Sequence, residues 1–280
     1  MREYRFQSGN GWFVVTVEGA RVAGLFAGEE LPNLLWGGNA ERVAGGDRVW
    51  LAPEVEIFYR DRSDPSTWRC PPELDPGTWT ASIKDDGVVL HQVALGTGLR
   101  RAFRPLLTPP VATDLAWSGY LVSDTAETEK PWSAWHLVMV PTPARVFVRG
   151  AKDPVVYYPP APDLAGGWVQ ATGEAPRWKL GFRPPRDAKV VLAAIGDRDP
   201  GPLVVVTAIA APSSTYVDTP PGGGPATAVQ VYNSPGEGFC ELEHHAPLES
   251  RGYESTVFGA WGPLESRLSL VERLTSGIGQ

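Results

Sequence analysis

The densest cluster of reactive side chains in the chain is Phe239–Ser250, FCELEHHAPLES, which brings acids, imidazoles and a thiol together. If residues 239–243 are extended, a period of two sets Phe239, Glu241 and Glu243 on one face and Cys240 and Leu242 on the other. The two carboxylates then stand ~7 Å apart along the strand. Desolvated at that spacing, each raises the pKa of the other, which is how a glutamate becomes a usable base near neutral pH. The plainer reading is one solvated glutamate beside another that pairs with an arginine. The same residue types also suit a metal. Adjacent histidines in a strand point to opposite faces, so His244 and His245 cannot both join the glutamates without a bulge. No metal site is expected.

A second candidate group lies in Gly45–Glu54, GGDRVWLAPE. Alternation in a strand would put Arg48, Trp50 and Glu54 on one face. A guanidinium fork beside an indole plane suits a polyol or a carboxylate; the alternative is an Arg48–Glu54 ion pair bracketing a core tryptophan. Trp135 and His136 head an apolar run ending at Pro141. An imidazole there could act as general acid or base, or be a satisfied structural histidine. His91, inside VVLHQVAL, is the weaker candidate. In RWKLGF, Arg177, Lys179 and Gly181 alternate with Trp178, Leu180 and Phe182. The apolar set faces the core, so Arg177 and Lys179 face either solvent or a cleft, where they would bind an anionic sugar substituent.

The elements that must position these residues read as strands. Short apolar or alternating runs occur at Trp12–Val17, Arg21–Phe26, Val55–Arg60, Trp79–Lys84, Val88–Leu95, Leu99–Leu107, Thr113–Val122 and Ala134–Val140. They continue through Arg145–Arg149, Val155–Tyr158, Arg177–Phe182, Val190–Ile195, Leu203–Ala208, Ala228–Tyr232, Phe239–Glu243, Val257–Trp261 and Arg267–Leu274. Turn signals such as Ser8-Gly9-Asn10-Gly11 and Asp75-Pro76-Gly77 separate them. The helical candidate is Asp124–Lys130, stopped by Pro131, though the stretch reads better as a solvated surface turn. The Pro-rich stretches at 159–162 and 219–225 read as long loops, because strands continue on both sides. The expectation is an all-β, antiparallel protein with a single domain spanning 1–280.

Composition narrows the function classes. With 31 Gly, 28 Pro and 11 Trp, the chain has the turns and large flat rings of a strand-rich globule. A formal charge of −7 without a basic cluster argues against nucleic acid or an anionic membrane as partner. Cys70 and Cys240 lie far apart and read as two reduced thiols. Neither a signal peptide nor a long apolar span is evident, so the expected location is the cytoplasm.

GGDRVWLAPE, SAWHLVMVP, RWKLGF, FCELEHHAPLES and ESTVFGAWGPL follow one another in an order that resembles a bacterial branch of the galactose mutarotase-like (aldose 1-epimerase) superfamily. The resemblance implies a β-supersandwich, two large antiparallel sheets with a sugar cleft across one concave face. It also implies acid–base chemistry on a sugar without a cofactor. Glu241 or Glu243 resembles the base, His136 is similar in order to a cleft histidine, and Arg48 resembles the arginine that orients the sugar. Trp50, Glu54, Trp135 and Lys179 would complete the binding surface. The Asn-His-x-Tyr-Phe-Asn motif of true mutarotases is absent, which keeps a non-catalytic carbohydrate-binding protein as the alternative. Glycoside hydrolysis or polysaccharide lyase chemistry is a third reading. The expected partner is a small-molecule sugar or sugar derivative, and the expected assembly a monomer or homodimer.

Overall fold

The computed structural model describes residues 2–39, 43–174, 176–234 and 236–276. Two nine-stranded antiparallel sheets carry the fold. The first runs, in spatial order, through Glu3–Ser8, Gly11–Thr16, Arg21–Phe26, Asp47–Ala52, Ser133–Pro141, Phe239–His245, Val229–Ser234, Trp178–Phe182 and Val155–Tyr158. The second runs through Trp168–Ala171, Ala144–Val148, Lys189–Gly196, Gly201–Ile209, Gly252–Gly262, Ala116–Glu127, Thr97–Pro105, Gly87–Ala94 and Thr80–Lys84. This is the expected all-β supersandwich.

Alternation explains how the sheets face each other. Phe13, Val22, Val49, Leu51, Val138, Leu180 and Leu242 of the first sheet share one buried core with Leu90, Phe103, Val122, Leu192, Val206 and Val257 of the second. A strand with an apolar inner face must bury it against another layer. The glycine signal in Ser8-Gly9-Asn10-Gly11 is used as expected: Gly9 adopts φ 57°, and the strands on either side pair from Glu3↔Thr16 to Ser8↔Gly11.

Three local expectations are corrected. Arg267–Leu274 is not a strand but part of a helix, Leu264–Ser276. Leu270, Val271 and Leu274 recur at helical spacing and pack on Val191, Ala193, Ile195, Leu203 and Val205, covering the outer face of the second sheet. Val55–Arg60 is also not a strand; a short helix, Glu54–Ile57, follows Pro53 there, with Glu54 and Glu56 in its first turn. Asp124–Lys130 is not helical, because the strand Ala116–Glu127 continues through Asp124. Tyr120, Val122 and Asp124 all point inward, and Asp124 is held by the buried Arg101 guanidinium and by a hydrogen bond from the Tyr253 hydroxyl.

Candidate functional site

Five neighbouring strands bring the candidate residues together. Asp47–Ala52, Ser133–Pro141, Phe239–His245, Val229–Ser234 and Trp178–Phe182 lie side by side in the first sheet. The register sets Trp135 opposite Trp50 on one side and His245 on the other, and Leu137 between Arg48 and Glu243. Glu241 stands opposite Tyr232, which in turn stands opposite Lys179. All of these side chains share the outer face of the sheet. A cleft of about 680 Å³ lies there, lined by Arg48, Trp50, Glu54, Trp135, Lys179 and Glu241 together with Arg21, Asp75, Tyr158, Arg177 and Tyr232.

The cleft floor is a connected set of buried charges. Lys179 Nζ lies 3.1 Å from Glu54 Oε2 and 3.0 Å from Glu243 Oε2. Trp135 Nε1 donates to Glu243 Oε2 at 2.9 Å, and the Lys179 ammonium sits 4.6 Å from the Trp135 ring centroid. Glu54 Oε1 accepts from Trp68 Nε1 at 2.9 Å and from the Tyr158 hydroxyl at 3.3 Å. Burial would strip the proton from Lys179, but Glu243 and Glu54 outweigh it and hold the ammonium well above its usual range. Burial pushes the Glu243 carboxyl up to about 8, against the pull of Lys179 and with a further push from Glu241. Glu243 does not line the cleft; it supports Lys179 and Trp135 from below.

The other end of the cleft is arranged around Asp75. Its carboxylate is ion-paired with Arg21, lies 3.3 Å from Arg48 Nη1, and accepts from Trp50 Nε1 at 2.9 Å. Burial raises the Asp75 carboxyl, but Arg21 and Arg48 outweigh it and leave it below the ordinary range. Burial and the neighbouring Arg48 charge lower Arg21 to about 10. Asp75 was legible only as a turn residue in Asp75-Pro76-Gly77, since nothing local tells a turn aspartate from one that folds back onto a cleft. Tyr158 and Tyr232 likewise read only as strand residues, and the sheet order brings them to the site; for Arg177, of the two faces that alternation allows, the structure takes the cleft.

Between these ends stands Glu241. Among the described residues its carboxylate has no hydrogen bond or ion pair, although it is only 7% exposed. Burial raises its pKa; Arg48 and Lys179 oppose that rise, while Glu54 and Glu237 add to it. Trp50 and Trp135 meet edge to face, 5.3 Å between centroids, and form the apolar part of the floor.

Several expectations need correction. His136 does not face the cleft: it sits on the opposite side of its strand, fully buried between the sheets, with Nε2 2.9 Å from Asp47 Oδ2. Asp47 also binds Arg101 and accepts from the Tyr120 hydroxyl at 2.6 Å, and Arg101 Nε lies 3.1 Å from Asp124. Arg48 and Glu54 do not pair with each other, since Asp75 and Lys179 take them separately. Glu54 reaches the cleft from the short helix after Pro53 rather than along the strand. The parity of the histidines is as expected: His244 faces the core against Tyr253, and His245 shares the glutamate face, stacked on Trp135 at 5.2 Å. Burial lowers His244 to about 3 and His245 well below its usual range, so both are neutral.

No family sequence profile and no curated protein sequence matches the chain. Solved structures do. A galactose mutarotase related enzyme from Lactobacillus acidophilus superposes with a TM-score of 0.57 at 9% identity, covering 93% of this chain and 97% of that one. A proposed aldose 1-epimerase from Escherichia coli K12 gives 0.52 at 14% identity over 93% and 99%. A galactose mutarotase-like protein from Lactobacillus casei gives 0.52 at 12% identity over the same shares. At such identities the likeness speaks for architecture, and the chain has the galactose mutarotase-like fold.

Proposed function

We propose that the protein takes a sugar or sugar derivative in this cleft and that Glu241 accepts a proton from it. The Glu241 carboxylate carries the reading: it is buried, unpaired among the described residues, and aimed into a cleft with aromatic faces and fixed cations. A carboxyl raised by burial is a stronger base than a solvated one, and it keeps its lone pairs for a ligand. Sugar C–H faces suit the rings of Trp50 and Trp135, and sugar hydroxyls suit the charged groups around them. In anomer interconversion, Glu241 takes the proton of the anomeric hydroxyl as the bond from C1 to the ring oxygen breaks. The ring oxygen gains a proton from water, and the reverse steps close the ring on the other face. No cofactor takes part in this reading. The free thiols Cys70 and Cys240 fit a cytoplasmic protein.

A second reading, sugar binding without catalysis, is favoured by one observation: among the described residues no imidazole lines the cleft to act as the acid. Exchange NMR on freshly dissolved aldoses, run beside calorimetry, separates the two. Catalysis predicts faster anomer equilibration, reduced ~100-fold or more in Glu241→Gln. Binding without acceleration selects the second reading, and neither binding nor acceleration by any aldose or aldose derivative sinks both.

A further inference from the structure

We propose that the ligand of the cleft carries an anionic group, a carboxylate or a phosphate, and that Arg177 receives it; this rests on the cleft being a sugar site. Four cations line the cleft among the described residues: Arg21, Arg48, Lys179 and Arg177. Three are already answered by the protein. Arg21 and Arg48 share Asp75, and Lys179 lies between Glu54 and Glu243. Arg177 alone among them makes no ion pair or hydrogen bond with the described residues, so its charge is left for something that enters the cleft.

Its head group is nevertheless held in place. The guanidinium lies 4.4 Å from the centroid of Tyr158 and 5.5 Å from that of Tyr232. Tyr158 is itself fixed through its hydroxyl, which meets Tyr59 and Glu54. The two rings meet nearly at right angles, 6.3 Å between centroids, so the exposed guanidinium rests in the corner they form. A planar donor fork seated against rings loses less freedom when it binds than a free one, and it matches two oxygens of a carboxylate or phosphate better than a lone hydroxyl. Tyr232 stands opposite Glu241 in the sheet. A ligand anchored at Arg177 therefore extends across the Tyr232 ring toward the proposed base, with its anionic end fixed at the rim.

Calorimetry with D-galactose, D-galacturonate and D-galactose 6-phosphate, and with their gluco epimers, tests this at low and high salt. At least one anionic series is expected to bind about tenfold tighter than the neutral sugar, and the advantage shrinks as salt screens it. The uronate and phosphate arms tell which group is recognised. In Arg177→Gln the anionic-to-neutral ratio falls to within about twofold, while Arg177→Lys, which keeps the charge but not the fork, retains part of it. Neutral sugars binding as tightly as their anionic forms would overturn the proposal and leave the sugar reading standing. An undiminished ratio in Arg177→Gln would overturn the assignment to Arg177, and binding of none of the sugars would overturn both.

Discussion

Lys179 Nζ lies 3.0 Å from Glu243 Oε2, and the same ammonium serves Glu54 at 3.1 Å, so one buried cation answers two buried acids. Removing one partner of a buried pair is costly because the other charge is left without compensation. Lys179→Met is expected to lose about 3 kcal/mol of stability at pH 7. The loss is larger at pH 9, where Glu243 is ionised, than at pH 6, where it holds a proton. Denaturant unfolding at the three pH values measures it, and a loss that does not grow with pH would contradict the shared arrangement.

Glu243 makes the pH dependence of stability itself informative. Burial holds its carboxyl at about 8 in the fold, above its ordinary value of 4.5. The folded state therefore binds the extra proton between those values, and stability is fully present below pH ~4.5 and lost as pH rises through ~8. Glu243→Gln removes this contribution to the slope, which for one group is at most about 1.4 kcal/mol per pH unit. Measured against the wild type, the variant should gain stability steadily from pH 5 to pH 8. A difference that stays constant across that range would mean that Glu243 is ionised throughout.

Asp47 behaves in the opposite sense. Burial opposes its charge, but Arg101 and His136, with the hydrogen bond from Tyr120, bring its carboxyl down to about 2. A depressed carboxylate stabilises the fold above its unfolded value near 4 and loses that contribution as pH falls toward 2. Asp47→Asn should cost about 2 kcal/mol at neutral pH, with the deficit shrinking between pH 4 and pH 2. Equilibrium unfolding followed by near-UV circular dichroism reads both ends.

The legible part of the molecule was whatever period two could report. The parity of Phe239, Glu241 and Glu243 against Cys240 and Leu242, the split of His244 from His245, and the inward face of Trp178 and Leu180 are all as alternation dictates. His136 shows the limit. Alternation places Trp135 and His136 on opposite faces but does not say which face is the cleft, and the buried polar core around Asp47 and Arg101 makes the inner face hospitable to an imidazole. Asp75 is hidden for a different reason: its role depends on the distant strands that carry Arg21, Arg48 and Trp50, and their meeting is set by sheet order rather than by local sequence. For Arg177, alternation leaves solvent and cleft both open, and only the sheet order decides between them. Within the helix Leu264–Ser276, residues 267–274 read as a strand because Leu268, Leu270 and Leu274 also satisfy a period of two, while the burial follows 3.6.

Asp75 allows the charge balance of the cleft to be tested without reference to any sugar. Its carboxylate stands between two buried guanidinium groups and also anchors the Trp50 indole. Asp75→Asn keeps the shape but leaves Arg21 and Arg48 facing each other without a counter-charge. Arg21 is already lowered to about 10 by burial and by its neighbour, so the loss of Asp75 adds to an existing strain between like charges. The variant should lose about 2 kcal/mol or more of stability. It should also recover part of that loss in phosphate or sulfate, because an anion entering the cleft replaces the missing carboxylate. Thermal unfolding in phosphate, with a choline chloride series at matched ionic strength, provides the measurement. Equal stabilisation of wild type and variant by phosphate would show that the two arginines do not depend on Asp75 for their charge balance.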